Sequence, residues 1–421
     1  MPSSPSAPGV QVKRELAVGV MERIETLGSI SEEPGRLTRT FCSPAMRRAN
    51  DCVAGWMQEA GMETREDAIG NLFGRYPGTA PKEKTLLLGS HLDTVRDAGR
   101  FDGPLGVLVA ITCVRHLRQT GTRLPFAVEV AGFSDEEGVR FQTNYLGSKV
   151  LAGQFRNEDL QLKDASGVTM AEAIRQFGGN PDGIAAARRD PSRLLGYVEV
   201  HIEQGPVLEQ KGLGVGVVTA IAGQTRARVT FLGQAGHAGT TPMDLRHDAL
   251  CAAAEFVLEA ERLAKARPGL VATVGQIEAR PGASNVIPGE VRLSLDVRHA
   301  LDEMRDRAVA ELEAFARQRA LERKVGFEWV PVQSTGAVSC DQHLSDLLAE
   351  SVGRCQGAVA RLPSGAGHDA AVLSAIAPVA MLFVRCKGGL SHHPDEFASL
   401  EDTAMAISVL SDFISSLARS H

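Results

Sequence analysis

The sequence predicts an α/β protein in which a mostly parallel, doubly wound sheet is interrupted by an inserted α+β domain. Three observations predict this fold class. Short apolar strands alternate with helical segments at first, polar and apolar residues alternate from near residue 217, and the strand–helix alternation returns after residue 333. Strands separated by helices are typical of parallel sheets, and alternating strands of antiparallel ones. We therefore expect a first domain, residues 1–216 and 334–421, split by a second domain, residues 217–333.

The length and composition fit a globular protein of two or three domains. The chain has 421 residues, of which 43% are hydrophobic and 23% charged, close to the globular average. Its 45 Lys and Arg residues and 51 Asp and Glu residues give a net charge of −6, which argues against a nucleic-acid or membrane-surface partner. The seven cysteines form no C-x-x-C pair, and no apolar stretch reaches the roughly 20 residues of a membrane span. We expect a cytoplasmic protein with free thiols.

In the first domain, capping residues and apolar runs mark the elements in order. Ser43 and Pro44 fit an N-cap followed by proline at the first helical position. Residues 1–9 are rich in Ser and Pro, and we expect them to be unstructured. The predicted helices are residues 10–27, 44–60, 103–119, 400–417 and one from residue 345, and the predicted strands are residues 85–89, 126–133, 195–200 and 379–384.

In the inserted domain, strands with an apolar residue at every second position predict an antiparallel sheet. Residues 225–232, 290–297 and 325–330 show this alternation, which leaves one face of each strand in water. Two helical stretches, residues 245–266 and 302–321, lie between them. Because an edge strand can pair with the same edge of a second copy, we expect a homodimer formed through this domain.

Polar side chains follow three predicted strands, at the point where each strand ends. His91 and Asp93 follow the first, Glu136 and Glu137 the second, and His201 the third. Because the carboxyl ends of parallel strands meet at one edge of a sheet, these side chains should lie close together. Imidazoles and carboxylates without thiolates suit Zn²⁺, Mn²⁺, Co²⁺ or Ni²⁺ better than an iron–sulfur cluster. The pattern therefore predicts a metal site.

Two further segments fit the same chemistry. Asp102 lies in a turn just before a predicted helix, and His392 and His393 lie beyond the last predicted strand. The chain carries no G-x-S-x-G, G-x-x-x-x-G-K-[ST] or H-E-x-x-H motif, which argues against a serine hydrolase, a P-loop protein and a zincin-type protease.

Eight motifs follow one another between residues 89 and 396. They are GSHLDTV at 89–95, FDGPLGV at 101–107, DEEGVRF at 135–141, HIEQGPVLE at 201–209, GHAGTTPMDLRHDA at 236–249, SNVIPG at 284–289, SGAGHDA at 364–370 and SHHPDE at 391–396. Together they resemble the hydantoinase/carbamoylase-type amidohydrolases of the M20 metallopeptidase clan, which comprise N-carbamoyl-L-amino-acid hydrolases, β-ureidopropionases and allantoate amidohydrolases. The resemblance covers almost the whole chain and does not distinguish the substrate.

The resemblance implies a dinuclear site for two divalent ions, with zinc expected first and manganese, cobalt or nickel as alternatives. His91 and His201 would each bind an ion, Asp102 would bridge the two, and Glu136 would be the general base. Asp93 would orient His91. The expected metal ligands are His91, Asp102, Glu137, His201 and His392, with His393 as the alternative to the last.

The resemblance also implies that the inserted domain contributes to substrate binding. His237, Asn285 and Arg298 would come from this domain, and Gln204 from the first. His237 would also stabilise charge on the attacked carbonyl, either in the partner subunit or when the domain closes as a lid. The guanidinium of Arg298 can clamp a substrate carboxylate through two parallel hydrogen bonds.

The function implied is hydrolysis of the ureido C–N bond of an N-carbamoyl-L-amino acid or related ureido acid. The products would be ammonia, carbon dioxide and the amino compound. Allantoate hydrolysis in ureide catabolism is the first alternative, because both substrates present a carboxylate and a carbamoyl end. An M20-type aminoacylase or dipeptidase is the second, and a non-catalytic binding protein on the same scaffold is the third.

Overall fold

The fold is described by a computed structural model covering residues 8–80 and 83–420, with side chains from Lys13 onward. The expectation that residues 1–9 are unstructured falls mostly outside this range, although Pro8 already begins a helix. No helix in the described residues is both long and apolar enough to span a membrane.

Eleven α-helices and sixteen strands lie within the described residues. The helices are α1 Pro8–Gly28, α2 Pro44–Glu59, α3 Pro104–Gln119, α4 Leu146–Ala152, α5 Met170–Phe177, α6 Val207–Gln210, α7 Ala249–Ala266, α8 Asp302–Glu322, α9 Gln342–Gln356, α10 Asp369–Leu373 and α11 Leu400–Arg419. The strands are β1 Glu63–Glu66, β2 Leu72–Tyr76, β3 Thr85–His91, β4 Ala127–Phe133, β5 Leu194–Ile202, β6 Val215–Ile221, β7 Gly223–Leu232, β8 Gly236–His237, β9 Val271–Thr273, β10 Ile277–Arg280, β11 Val286–Ile287, β12 Glu290–His299, β13 Gly326–Thr335, β14 Val338–Ser339, β15 Arg361–Ser364 and β16 Val379–Val384.

The chain divides into two compact units. The first comprises the residues up to Thr219, Cys340–Leu362 and the residues from Gly367 onward, and the second comprises Ala220–Ser339 and Pro363–Ala366. The sequence predicts boundaries at 216/217 and 333/334, within six residues of these, but does not predict the return of Pro363–Ala366 to the second unit.

The central sheet of the first unit is mostly parallel, as predicted. Its strand order is β1-β2-β4-β3-β5-β16-β6. The four inner strands β4, β3, β5 and β16 run parallel, whereas β1, β2 and β6 pair antiparallel. Strands β3, β4 and β16 are buried along their whole length, so the polar groups at their carboxyl ends lie at one edge of a rigid apolar layer.

Two of the predicted strands extend further than expected, and both changes affect the site. β3 continues to His91, which pairs with Phe133 of β4. β5 continues to Ile202, and its His201 pairs with Phe383 of β16. These two histidines therefore lie within the ladders instead of following them, because the backbone keeps its hydrogen-bonding partner after the apolar run has ended.

The second unit contains an antiparallel sheet covered by two helices. Its order is β10-β12-β7-β13, with β9 also paired to β12, and α7 and α8 share its apolar core. The helix predicted from residue 245 begins instead at Ala249, since the Asp248 carboxylate accepts hydrogen bonds from the backbone N–H of Leu250 and Cys251. Such a side-chain cap fixes the first turn of a helix.

Candidate metal centre

Two groups of possible metal ligands share Asp102. One contains His91, Asp102 and His201, and the other contains Asp102, Glu137 and His392; within each group the ligand atoms lie within 4.8 Å of one another. Asp102 Oδ1 lies 3.0 Å from His201 Nε2 and 3.4 Å from His91 Nε2. Asp102 Oδ2 lies 3.3 Å from His392 Nε2. The two carboxylate oxygens therefore face two different ligand sets.

The two buried histidines are held in the tautomer that a metal ligand requires. His91 Nδ1 lies 3.0 Å from the backbone oxygen of Asp93, and His201 Nδ1 lies 2.9 Å from that of Ile202. Since a carbonyl oxygen can only accept, each Nδ1 must carry the proton, and Nε2 is left to face Asp102. This second hydrogen bond is typical of metal-ligating histidines. Both residues fall in the ligand group that contains Asp102, and His91 also forms a group with Glu136 and Glu137.

His392 and His393 lie in different surroundings. His392 Nε2 is 3.4 Å from Glu137 Oε1 and close to Asp102. His393 Nδ1 instead accepts a hydrogen bond from the backbone N–H of Asp395, and the ring is half exposed. Only His392 of this pair is directed at the shared carboxylate.

A buried glutamate holds the turn that carries Asp102. Glu396 Oε1 accepts hydrogen bonds from the backbone N–H of Phe101 at 2.9 Å and of Asp102 at 3.0 Å. Ser391 Oγ donates to Asp102 Oδ2 at 2.8 Å and lies 3.0 Å from Glu396 Oε2. Gly103 follows with a positive φ of 82°, and a Cβ there would lie 2.6 Å from the His91 ring. The turn therefore requires glycine at this position.

Glu136 and Glu137 are positioned by Asp93. The Asp93 carboxylate accepts hydrogen bonds from the backbone N–H of Glu136 at 3.0 Å and of Glu137 at 3.1 Å. Its distance from His91 Nδ1 is 3.5 Å, longer than that of its own backbone oxygen. The Asp93 side chain thus joins the end of β3 to the acidic pair, while its carbonyl orients His91.

The electrostatics of the site fit bound cations. Burial raises the pKa of Glu136 well above its usual range, and the Glu137 carboxylate raises it further. Burial, followed by repulsion from Asp102, raises the pKa of Glu137 to about 7. The pKa of His392 is raised to about 9, mainly by the hydrogen bond of this side chain to Asp102.

Acidic side chains in this region outnumber the imidazoles that directly contact them. Carboxylates buried without compensating charge are costly, and divalent cations would supply the missing positive charge. The donor set, imidazole nitrogen and carboxylate oxygen, is also the one that Zn²⁺ and similar ions prefer. The residues present therefore fit divalent metal ions. The acids of this region are the buried Asp93, Asp102, Asp135, Glu136, Glu199 and Asp369, together with the largely buried Glu137.

Comparison with known proteins identifies the family. The sequence profile of peptidase family M20/M25/M40 matches residues 87–416. The chain belongs to this family. Its mixed α/β fold and mostly parallel sheet are those of the M20 fold, and the resemblance identified from the motifs is confirmed.

Several relatives of this M20 chain are named for an enzymatic activity. It is 42% identical to allantoate deiminase 1 of Glycine max, over 92% of this chain and 86% of the relative. It is 41% identical to an N-carbamoyl-L-amino acid amidohydrolase of Geobacillus stearothermophilus, over 92% of this chain and 95% of the relative. A crystal structure of a hydantoinase/carbamoylase family amidase from Burkholderia multivorans is 32% identical, with a TM-score of 0.90, covering 96% of this chain and 98% of that one.

Gln204 of the M20 chain is hydrogen-bonded to the carboxylate of Asp102, which the two ligand groups share. Its Nε2 donates to Asp102 Oδ2 at 2.8 Å and lies 3.2 Å from Ser391 Oγ. Its backbone is left-handed, with a φ of 56°, and its Oε1 is buried without a hydrogen-bond partner among the described residues. An unpaired buried oxygen is costly, so this amide is suited to accept a hydrogen bond from a ligand.

Two of the three candidate substrate residues in the second unit lie together. His237 of β8 is paired with Val286 of β11, and the backbone N–H of Ala238 donates to Asn285 O at 2.9 Å. This two-stranded ribbon holds His237 beside Asn285.

Arg298, on β12, is already engaged. Its Nε and Nη2 donate to the two oxygens of Asp296 at 2.9 and 3.0 Å, and Nη1 donates to Gly365 O at 2.7 Å. The sequence analysis predicts that this guanidinium binds a substrate carboxylate, but the edge formed by Nε and Nη2 binds Asp296 instead. The outer N–H groups on Nη1 and Nη2 remain for a ligand.

The sequence analysis missed Glu199, which lies beside the metal centre. Glu199 forms another group of possible metal ligands with His201 and His368, all buried. Its carboxylate accepts hydrogen bonds from Ser90 Oγ and from the backbone N–H of Ala370, both at 3.0 Å. Because residues two apart on a strand point to the same face, the Glu199-Val200-His201 spacing carried a usable signal.

Arg39 is also missing from the predicted site. It is fully buried, and its guanidinium donates to the backbone oxygens of Leu92 at 2.7 Å, Leu27 at 2.8 Å and Ile30 at 3.1 Å. Burial lowers its pKa to about 10, and Asp93 opposes that shift. Arg39 therefore places a positive charge behind the His91-Leu92-Asp93 segment, and no local sequence pattern indicates it.

Proposed function

We propose that the protein is a metal-dependent amidohydrolase that cleaves the ureido C–N bond of an N-carbamoyl-L-amino acid or a related ureido acid. The observation that carries the proposal is the Asp102 carboxylate, whose two oxygens face separate ligand groups next to the acidic pair Glu136 and Glu137. The names of the relatives support the ureido chemistry.

In this proposal the two ligand groups would hold two divalent ions, and Asp102 would contribute one carboxylate oxygen to each group. His91 and His201 complete one group, and Glu137 and His392 complete the other. Two such ions would lower the pKa of a shared water molecule and polarise the carbonyl of the substrate. Zinc suits these donors best, with manganese, cobalt and nickel as alternatives.

Glu136 would move the proton. It forms a group of possible ligands with His91 and Glu137, but it belongs to neither of the two groups that share Asp102. Its buried carboxyl group has a raised pKa, and shifted pKa values of this kind are common among the acids and bases of active sites. Glu136 would take a proton from the attacking water and return it to the leaving nitrogen. Asp93 would keep Glu136 and Glu137 in register.

The second unit would supply the remaining substrate contacts and act as a lid and as the dimer interface. His237 and Asn285 would bind the substrate near the attacked carbonyl, and Arg298 would bind its carboxylate through the N–H groups that Asp296 leaves free. Gln204 would contact the substrate through its unpaired Oε1. Sedimentation at micromolar concentration tests the dimer, and a monomer there would contradict this part of the proposal.

Allantoate is the second candidate substrate, since a relative named allantoate deiminase is as similar as the carbamoylase. Allantoate carries two ureido groups and one carboxylate, so the same ligands can serve both reactions. An aminoacylase or dipeptidase activity would need the same ions but would release an amine or amino acid and no ammonia.

The products of the metal-loaded protein test the proposal. N-carbamoyl-L-amino acids, allantoate, an N-acetyl amino acid and a dipeptide are supplied in parallel, and ammonia and primary amine are measured separately. We expect ammonia from at least one of the first two. Release of amine from the N-acetyl amino acid or the dipeptide, without ammonia from any substrate, would contradict the proposed function. It would not contradict the proposed metal centre.

A further inference from the structure

Tyr145 has a backbone conformation that bulky residues avoid. Its φ is 61° and its ψ 28°, in the left-handed region. Its backbone N–H donates to Glu136 O at 3.0 Å, and its carbonyl accepts from the N–H of Lys149 at 2.9 Å in the first turn of α4. Aromatic residues rarely adopt this conformation, and strained residues cluster at functional sites. The hydrogen bond from its N–H holds Tyr145 directly against the backbone of the proposed general base.

The phenol of Tyr145 reaches across to the segment that precedes α10. A Cβ on Gly367 would overlap the phenol oxygen, so that the two residues are in direct contact. The next residue, His368, packs its ring 4.5 Å from the ring of His201. Among the described residues, none is seen to make a hydrogen bond with the phenol oxygen of Tyr145, and the residue as a whole is partly buried. The hydroxyl is therefore available to a ligand beside the metal centre.

The phenol stays neutral at physiological pH. Burial raises the pKa of Tyr145 well above its usual range, and the carboxylates of Glu136 and Asp369 raise it further. These acids also make the surroundings unsuitable for the carboxylate end of a substrate. A neutral phenol can both donate and accept one hydrogen bond, which suits an uncharged polar group.

We propose that Tyr145 is a specificity-determining residue whose phenol oxygen binds the terminal amino group of the carbamoyl end of the substrate. The inference rests on the proposed function. The attacked end must lie near Glu136, because a general base works only within hydrogen-bond reach of the attacking water. The carbamoyl NH₂ is what distinguishes this substrate from an N-acyl one, and a site built to hydrogen-bond such a group discriminates strongly against analogues that lack it.

The test compares N-carbamoyl and N-formyl derivatives of one amino acid in Tyr145→Phe. We expect kcat/KM for the carbamoyl substrate to fall at least about tenfold, and kcat/KM for the formyl substrate to change less than about threefold, at an unchanged Tm. Tyr76→Phe is the matched control, since it removes a hydroxyl that donates to Thr122 O on another part of the sheet. It should leave both activities unchanged.

A second variant separates specificity from folding. Tyr145→Asn places a residue that tolerates the left-handed region at the strained position, which offsets part of the packing lost with the ring, so the variant should fold cooperatively while carbamoyl selectivity is lost. An equal loss for both substrates in Tyr145→Phe, or no loss for either, would overturn the inference. Failure of the proposed function is distinguishable, because wild-type protein would then release no ammonia from any ureido substrate.

Discussion

At the scale of single residues, the adjacent histidines His392 and His393 differ in their surroundings, because only one of them faces Asp102. His392 Nε2 lies 3.3 Å from Asp102 Oδ2, whereas His393 is bonded to the backbone of Asp395. The sequence could not separate the two, since a one-residue shift in a loop leaves the motif unchanged. The left-handed backbone of His392, with a φ of 56°, is what turns its ring toward the carboxylate.

His392→Ala should therefore lose about one of the two proposed metal ions per chain, and His393→Ala should keep both. Metal content after gel filtration measures the difference, and activity should fall in parallel with it. The histidines are adjacent, so each variant is the control for the other. Loss of metal from His393→Ala alone would show that the assignment is reversed.

Arg39 is a buried arginine whose contacts no local sequence pattern predicts. Removing the guanidinium of Arg39 leaves the backbone oxygens of Leu92 and Ile30 without their donor, whereas Leu27 O keeps the backbone N–H of Ile30. Each buried unsatisfied group costs about 1–3 kcal/mol, partly offset by the lost cost of burying the charge. Arg39→Met should lower the free energy of unfolding by about 2–4 kcal/mol and also reduce activity. Urea unfolding checks this, with the exposed Arg36→Met as the control; equal midpoints for the two variants would contradict it.

At the scale of elements, Asp93 joins the carboxyl ends of β3 and β4. An asparagine there has one acceptor oxygen, and its NH₂ group would face a backbone N–H of Glu136 or Glu137. Asp93→Asn should therefore disturb the acidic pair and lower activity about 10–100-fold, as is typical of residues that orient metal ligands. Activity and metal affinity are the measurements. Wild-type values for both would show that the two hydrogen bonds do not position the pair.

The elements that carry the ligands were predictable, whereas some at the sheet edge were not. β3, β4 and β5 are apolar runs followed by His, Asp or Glu, which is a strong local signal. β1, with the sequence Glu-Thr-Arg-Glu, is largely exposed and has no apolar alternation. It is a strand only because β2 pairs with it. The hydrogen bond from the backbone N–H of Asp102 to the Glu396 carboxylate joins residues 294 positions apart in the sequence, so local patterns do not predict it either.

At the scale of the whole molecule, the buried acids of the first unit couple metal binding to stability. Cations that bind only the folded protein stabilise it by an amount that grows with ligand excess, about 2.7 kcal/mol at 100 times Kd. Removal of metal by a chelator should lower Tm by several degrees, and Zn²⁺ or Mn²⁺ should restore it. Mg²⁺, which prefers all-oxygen ligands, is the control and should restore less. A Tm that changes neither with the chelator nor with added zinc would contradict cation binding at this site.

The division into two units was predictable in outline from the change of strand pattern near residue 217. The return of Pro363–Ala366 to the second unit was not, because four residues are too few to carry a periodicity. The position of Arg298 was predictable, but its engagement by Asp296 was not, since two residues of like orientation on one strand can pair with each other or with a ligand.

The most direct measurement of the central claim is ammonia release and metal content in Glu136→Gln. We expect ammonia release from the ureido substrate to fall at least about 100-fold, because the proton carrier is lost, while metal content and Tm remain those of the wild type. Glu63→Gln, at an exposed position on β1, is the matched control. Glu136→Gln that keeps wild-type ammonia release would contradict the account, because hydrolysis would then proceed without the group to which the site assigns the proton.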